Sequence, residues 1–292
     1  MTGTALVGYD GSETARAALA YAAQRVGPGG RVVVAHIVAP PTAFIDTQYY
    51  DESLRRAREH GEASMRDVED LLGGVTAELQ VAEGPPGRTL VELAREAGAD
   101  EIVVGSRGFG SGRAMMLGSV AHALLHETDR PVVILTRRAA ERQARRAATG
   151  GASAPPAEVV GYDGSPAARA ALDYALDRAH GHVTVVYAYD APSNFLGAPY
   201  FGEALTDSQM RGRELLDELQ SQDALGPDVE FDLLEGPPAE AVARAAVVRD
   251  ADEIIVGSRG LGRFRGAFGS VSYALLHEAD RPVVVVPQPT MA

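Results

Sequence analysis

Val7-Gly8-Tyr9-Asp10-Gly11-Ser12 lies near the start of the chain and returns as Val160-Gly161-Tyr162-Asp163-Gly164-Ser165. Each copy reads as the end of a buried strand, a tight glycine turn and a serine that opens a helix. Three further segments return in the same order. Glu83-Gly84-Pro85-Pro86 becomes Glu235-Gly236-Pro237-Pro238, and Glu101–Gly108 becomes Glu253–Gly260. Ala123-Leu124-Leu125-His126-Glu127 becomes Ala274-Leu275-Leu276-His277-Glu278. Four matches in register, with single-residue gaps, mark an internal duplication.

The spacing between those landmarks alternates strand and helix. In the first copy, strands are predicted at Ala5–Val7, Val32–Val38, Val75–Val81, Ile102–Val104 and Pro131–Leu135. Helices are predicted from Ser12 to about Arg25, from about Glu52 to Leu72, over Thr89–Ala97 and over about Ser119–Glu127. The β-branched run Val32–Val38 suits a strand buried on both faces. Such βαβα alternation gives an α/β class with a parallel sheet and helices on both faces. Residues 1–138 form the first expected domain and 157–292 the second. Between them, 139–156 is expected to be a linker, because an Ala/Arg-rich stretch runs into Gly, Ser and Pro.

Composition closes several chemistries. The 292 residues, 46% hydrophobic, are enough for two cores of ordinary size. No cysteine is present, which excludes disulfides and thiolate metal sites. All 27 basic residues are arginine, so no Walker lysine or Schiff-base lysine exists. A net charge of −13 disfavours nucleic acid and anionic membrane as partners. The start of the chain has neither a basic nor an apolar leader pattern, and no apolar run is long enough to span a bilayer. A soluble, cytoplasmic protein is expected.

The candidate site follows the fourth strand. Gly105, Gly108, Gly110 and Gly112 leave the backbone open to a ligand. The segment then delivers Gly118, Ser119 and Val120 to a helix start, where free amides and the helix dipole favour a phosphate. Arg107 and Arg113 could neutralise it from the flank. The competing reading is a structural glycine turn with Ser119 as a cap. Asp10 and Asp163 are read as crevice acids, against the alternative that Asp-Gly-Ser only opens a helix. Asp190 follows the second copy's second strand, where the first copy has Ala39; it could accept from ribose hydroxyls or be a solvated loop acid. His122 and His126 stand four apart, but Ala123 and Tyr273 break any metal motif, so no metal site is assigned. No catalytic residue is assigned either.

The spacing of Gly105, Gly108, Gly118 and Ser119 resembles the ATP-binding motif of the universal stress protein family. The opening Val-x-x-Asp strand, the Gly-x-Pro turn and the closing Arg-Pro-Val-Val strand resemble that family in both copies. The resemblance implies two doubly wound domains, each a five-stranded parallel sheet of order 3-2-1-4-5, with ATP across strands one and four. Carried over, Gly8, Asp10 and the Ile37 backbone would meet the nucleoside. Gly105, Arg107, Gly108, Gly110, Gly118, Ser119 and Val120 would hold phosphates. The second set is Gly161, Asp163, Ala188, Asp190, Gly257, Arg259, Gly260, Gly262, Arg263, Gly269, Ser270 and Val271.

The resemblance implies a stress-response protein whose ATP occupancy, with Mg2+ as an optional companion, sets conformation or partners. A slow ATPase is the alternative. Self-association is expected between the two domains, through their closing strands, and as a homodimer. The second glycine loop is one residue shorter than the motif. It is expected to displace the Gly269-Ser270-Val271 amides, with Arg263 and Arg265 compensating.

Overall fold

A computed structural model describes residues 3–40, 47–66, 68–106, 117–148, 156–178, 181–190, 198–222, 225–226, 228–258 and 269–288, the side chains of 47–49 and 198–201 excepted. The chain divides into two compact units, Met1–Gly150 and Gly151–Ala292.

The first unit runs β1 (Thr4–Gly8), α1 (Glu13–Val26), β2 (Arg31–Val38), α2 (Thr47–Ser64), α3 (Val68–Leu71), β3 (Thr76–Glu83), α4 (Pro86–Glu96), β4 (Glu101–Gly105), α5 (Ser119–Glu127), β5 (Val132–Leu135) and α6 (Arg137–Ala148). Its strands lie in the order β3-β2-β1-β4-β5, and the pairs all run parallel. Right-handed crossovers put α1 and α2 on one face and α4 and α5 on the other. Accordingly α1 packs against α3 and α6, and α4 against α5. Leu6, Val33, Ile102 and Ile134 on neighbouring strands are fully buried, as strands covered on both faces require.

The second unit repeats the plan with β6 (Ala157–Gly161), α7 (Pro166–Arg178), β7 (His182–Tyr189), α8 (Ala198–Gln220), β8 (Val229–Glu235), α9 (Pro238–Val248), β9 (Glu253–Gly257), α10 (Ser270–Glu278) and β10 (Val283–Val286). Its order is β8-β7-β6-β9-β10, again all parallel.

Local chemistry explains the element ends. Ser12 Oγ accepts from Ala15 N at 3.3 Å and caps α1, and Ser165 Oγ accepts from Ala168 N at 3.2 Å in the second copy. Gly84 and Gly236 adopt φ of 146° and 125°, which turns the chain into the prolines that open α4 and α9.

One helix differs from expectation. The predicted Glu52–Leu72 helix is two pieces, because Met65 N bonds Glu62 O and Val68 N bonds Met65 O, both three residues back. That tightening buries Met65, Val68 and Leu72. The alanine–arginine stretch forms α6, capped by Thr136 Oγ1 at 3.0 Å from Ala139 N, and its Ala139 and Ala140 are buried. No helix of the described residues is long and apolar enough to cross a membrane.

Candidate functional site

In each unit the central strand and the fourth strand are neighbours. The register Gly8↔Val104 brings the carboxyl ends of β1 and β4 together, and Val160↔Ile255 does the same for β6 and β9. Strand order reverses here, so a crevice opens beyond these ends.

The wall on the β4 side is a helix start. Gly118 occupies the N-cap position of α5 with φ −61° and ψ 150°, and among the described residues no side chain caps the helix. Gly269 does the same for α10 with φ −67° and ψ 146°. Ser119 and Ser270 are therefore the first helical residues and are exposed; they are not caps. Amides in that first turn have no intrahelical acceptor. Val120 and Val271 follow, half-buried.

Each connection is pinned at both ends by one bond. Gly118 N donates to Ser106 O at 2.9 Å, and Gly269 N donates to Ser258 O at 2.9 Å. Ser106 and Ser258 are themselves held in the sheet, donating to Leu135 O and Val286 O at 2.8 Å. The shorter second loop thus leaves its helix start anchored as in the first copy, against the expected displacement at Gly269. Sequence reasoning missed these serines because a residue acting through its backbone leaves no side-chain signature.

On the β2 side the backbone ladder stops early. Its last rung is Tyr9 N onto Ala35 O at 2.9 Å. A continuing parallel ladder would next place Ile37 N–H on the Tyr9 carbonyl. That carbonyl instead meets His36 Nδ1 at 2.9 Å. Among the described residues no strand partner takes the Ile37 amide on that side. In the second unit Tyr162 N onto Val186 O at 2.9 Å is likewise the last rung, one step before Ala188. Ile37 and Ala188 are half-buried.

The remaining positions have mixed roles. Asp10 Oδ1 accepts from Ser12 N at 3.0 Å, and Asp163 Oδ1 from Ser165 N at 3.0 Å, so both acids also shape the turn. Gly105 and Gly257 have a packing reason: a Cβ would lie 2.5 Å from Thr14 Oγ1 or 2.6 Å from the Ala167 carbonyl carbon. Gly8 and Gly161 admit side chains on the other face, chiefly Leu90 and Val104, or Val256 and Val242. Asp190 is exposed just past β7. Arg107, Gly108, Gly110, Gly112, Arg113, Arg259, Gly260, Gly262, Arg263 and Arg265 lie outside the described residues.

The second crevice carries two phenols. Burial pushes Tyr187 up, while Arg211 pulls it down and Asp163 adds to the rise. Burial also raises Tyr162, opposed by Arg169. A helical glycine faces the ring in each copy. A Cβ on Gly61 would sit 2.5 Å from His36 Cδ2, and one on Gly212 would sit 2.4 Å from Tyr187 Cδ1. Glycine costs about 1 kcal/mol in a helix interior, so its recurrence at matching positions was a signal in the sequence.

Fold and site together define a class: a tandem of doubly wound α/β units, each with an unblocked helix start facing an interrupted ladder. The sequence model of the universal stress protein family matches residues 1–136 and 159–287. The chain belongs to the universal stress protein family. A universal stress protein of Mycolicibacterium smegmatis is 28% identical over 292 residues, covering 96% of each chain. One of Thermus aquaticus is 39% identical over 132 residues, covering 44% of this chain and 96% of the relative. The crystal structure of a universal stress protein from Archaeoglobus fulgidus superposes with a TM-score of 0.65 at 22% identity. It covers 99% of this chain and 100% of that one, and it shares the fold.

Proposed function

We propose that each unit is an ATP-binding module and that nucleotide occupancy sets the protein's conformation or its partners in a stress response. The observation that carries this is the pairing, twice in one chain, of an interrupted ladder with an unblocked helix start. The amide of Ile37 or Ala188 offers a main-chain donor suited to a purine edge. Across the crevice, the first-turn amides of α5 or α10 offer donors and a positive dipole end to phosphate. The two features approach the crevice from β2 and β4, on either side of β1. A ligand with an aromatic base at one end and anionic oxygens at the other satisfies both. The reading is of binding rather than turnover, since neither crevice is assigned a general base or a paired set of carboxylates for metals.

The test is release of bound small molecules from the purified full chain, followed by chromatography and ATP calorimetry. Gly118→Val and Gly269→Val should each remove one of two sites. Valine tolerates the extended backbone of both positions, so the fold should survive. Unchanged stoichiometry in both variants would remove the assignment.

A further inference from the structure

We propose that His36, through its bond to the Tyr9 carbonyl beside the crevice, couples the affinity of the first site alone to pH. The inference rests on the nucleotide reading above and adds a regulation that the second site lacks.

A carbonyl oxygen can only accept, so the 2.9 Å contact to the Tyr9 carbonyl requires the proton on His36 Nδ1. The imidazole thereby bonds the carbonyl at the end of β1; the second unit's ladder ends at the same rung beside a tyrosine, so the ring reads that position without creating it. With Nδ1 committed, Nε2 is bare in the neutral ring and carries N–H in the cation. Nε2 lies against α2, where a Cβ at Gly61 would be only 2.9 Å away. The ring is therefore gripped between the end of β1 and the bare backbone of α2. Its charge state acts on a fixed geometry.

The second unit keeps the glycine and changes the ring. Tyr187 stands at the position of His36, with Gly212 against it. A phenol raised by burial stays neutral throughout the range in which an imidazole titrates. Charged and titratable groups on the elements around His36 include Tyr9 and Asp10 beyond β1, Arg16 on α1, Arg58, His60 and Glu62 around Gly61 on α2, and Glu78 and Glu83 on β3. Arg16 Nε donates to Gly11 O at 3.2 Å, and Arg58 pairs with Glu83. Asp10, which accepts from Ser12 N at 3.0 Å, is the carboxylate in the same loop as the Tyr9 carbonyl.

The sign follows from linkage. An anionic ligand favours the imidazolium, so ligand binding takes up a proton and the first site tightens as pH falls. The test measures ATP affinity from about pH 5.5 to pH 8 in Gly269→Val, which keeps the first site, and Gly118→Val, which keeps the second. The second site also corrects for titration of ATP itself. Beyond that shared slope, the first site should weaken roughly three- to tenfold as pH rises, the size expected of one charge near a solvated pocket.

His36→Tyr in the first-site chain should abolish the extra slope, and Tyr187→His in the second-site chain should create one. Nitrogen-15 NMR should find the neutral His36 protonated at Nδ1. Equal pH slopes at both sites with binding intact, or an Nε2-protonated tautomer, would overturn the inference alone. No ATP binding in either chain at any pH would overturn the nucleotide reading, and this inference with it.

Discussion

Replacing Gly61 by alanine probes the ring-on-glycine contact directly. In an ordinary helix the change is stabilising, by about 1 kcal/mol. Here the new methyl would meet His36 Cδ2 at 2.5 Å and Nε2 at 2.9 Å, closer than real contacts allow. The ring cannot swing away without surrendering its bond to the Tyr9 carbonyl. Overpacking of this kind costs about 1–3 kcal/mol. Set against the propensity gain, Gly61→Ala should be neutral to destabilising by about 2 kcal/mol. In a His36→Ala background the obstruction is gone and the same change should stabilise by about 1 kcal/mol. The cycle therefore predicts a coupling of about 1–3 kcal/mol. Denaturant-dependent hydrogen exchange at the β2 amides reads it in the first unit of the intact chain. Equal stabilisation in both backgrounds would show that His36 and α2 are not in contact.

Other expected outcomes follow from the same packing. Gly257→Ala should destabilise the second unit more than Gly161→Ala. The first drives a Cβ to 2.6 Å from Ala167 backbone, whereas the second meets Val256 Cγ1 at 3.0 Å and can be relieved by side-chain movement; thermal unfolding separates them. Asp250→Gly should stabilise by about 0.5–1 kcal/mol. Asp250 sits at φ 47°, where the first copy has Gly98 at φ 60°, and its 3.6 Å contact with Arg281 involves a carboxylate 79% exposed. Tyr162 and Tyr187 are raised by burial above the ordinary 10.0. Their contribution is thus fully present below pH 10 and lost as pH rises through their folded values; Tyr162→Phe with Tyr187→Phe should flatten the alkaline limb of a stability–pH curve.

Much of this fold was legible because two periodicities dominate. Val32–Val38 can only be a buried strand, and the repeat of Val7–Ser12 and Glu101–Gly108 locates both crevice walls. The break after Ser64 was not legible. Met65, Val68 and Leu72 keep helical spacing whether or not the helix is continuous, so the hydrophobic pattern is blind to it. The glycines divide in the same way. Gly118 and Gly269 mark helix starts that any reader of glycine-rich loops would find. Gly105 and Gly257 look like ligand-approach glycines in the sequence, yet Thr14 and Ala167 fill their space. Which neighbour a missing side chain admits is a tertiary fact. The early end of the β1–β2 ladder is also tertiary: it recurs in β6–β7 beside a tyrosine instead of a histidine, so no single residue type signals it.

The pairing of β1 with β4 has a consequence for synthesis on the ribosome. Ala5 finds its partner Glu101 only after most of the unit has been made, and Glu158 waits likewise for Glu253. At about 5–20 residues per second, that delay lasts roughly 5–20 s. During it the β3-β2-β1 half can assemble, but the central strand has one bare edge. The seam flanking the crevice closes only when β4 emerges, and β5 then adds to the free side of β4. Each unit therefore acquires its ligand-facing geometry in the same step that covers the bare edge of its central strand.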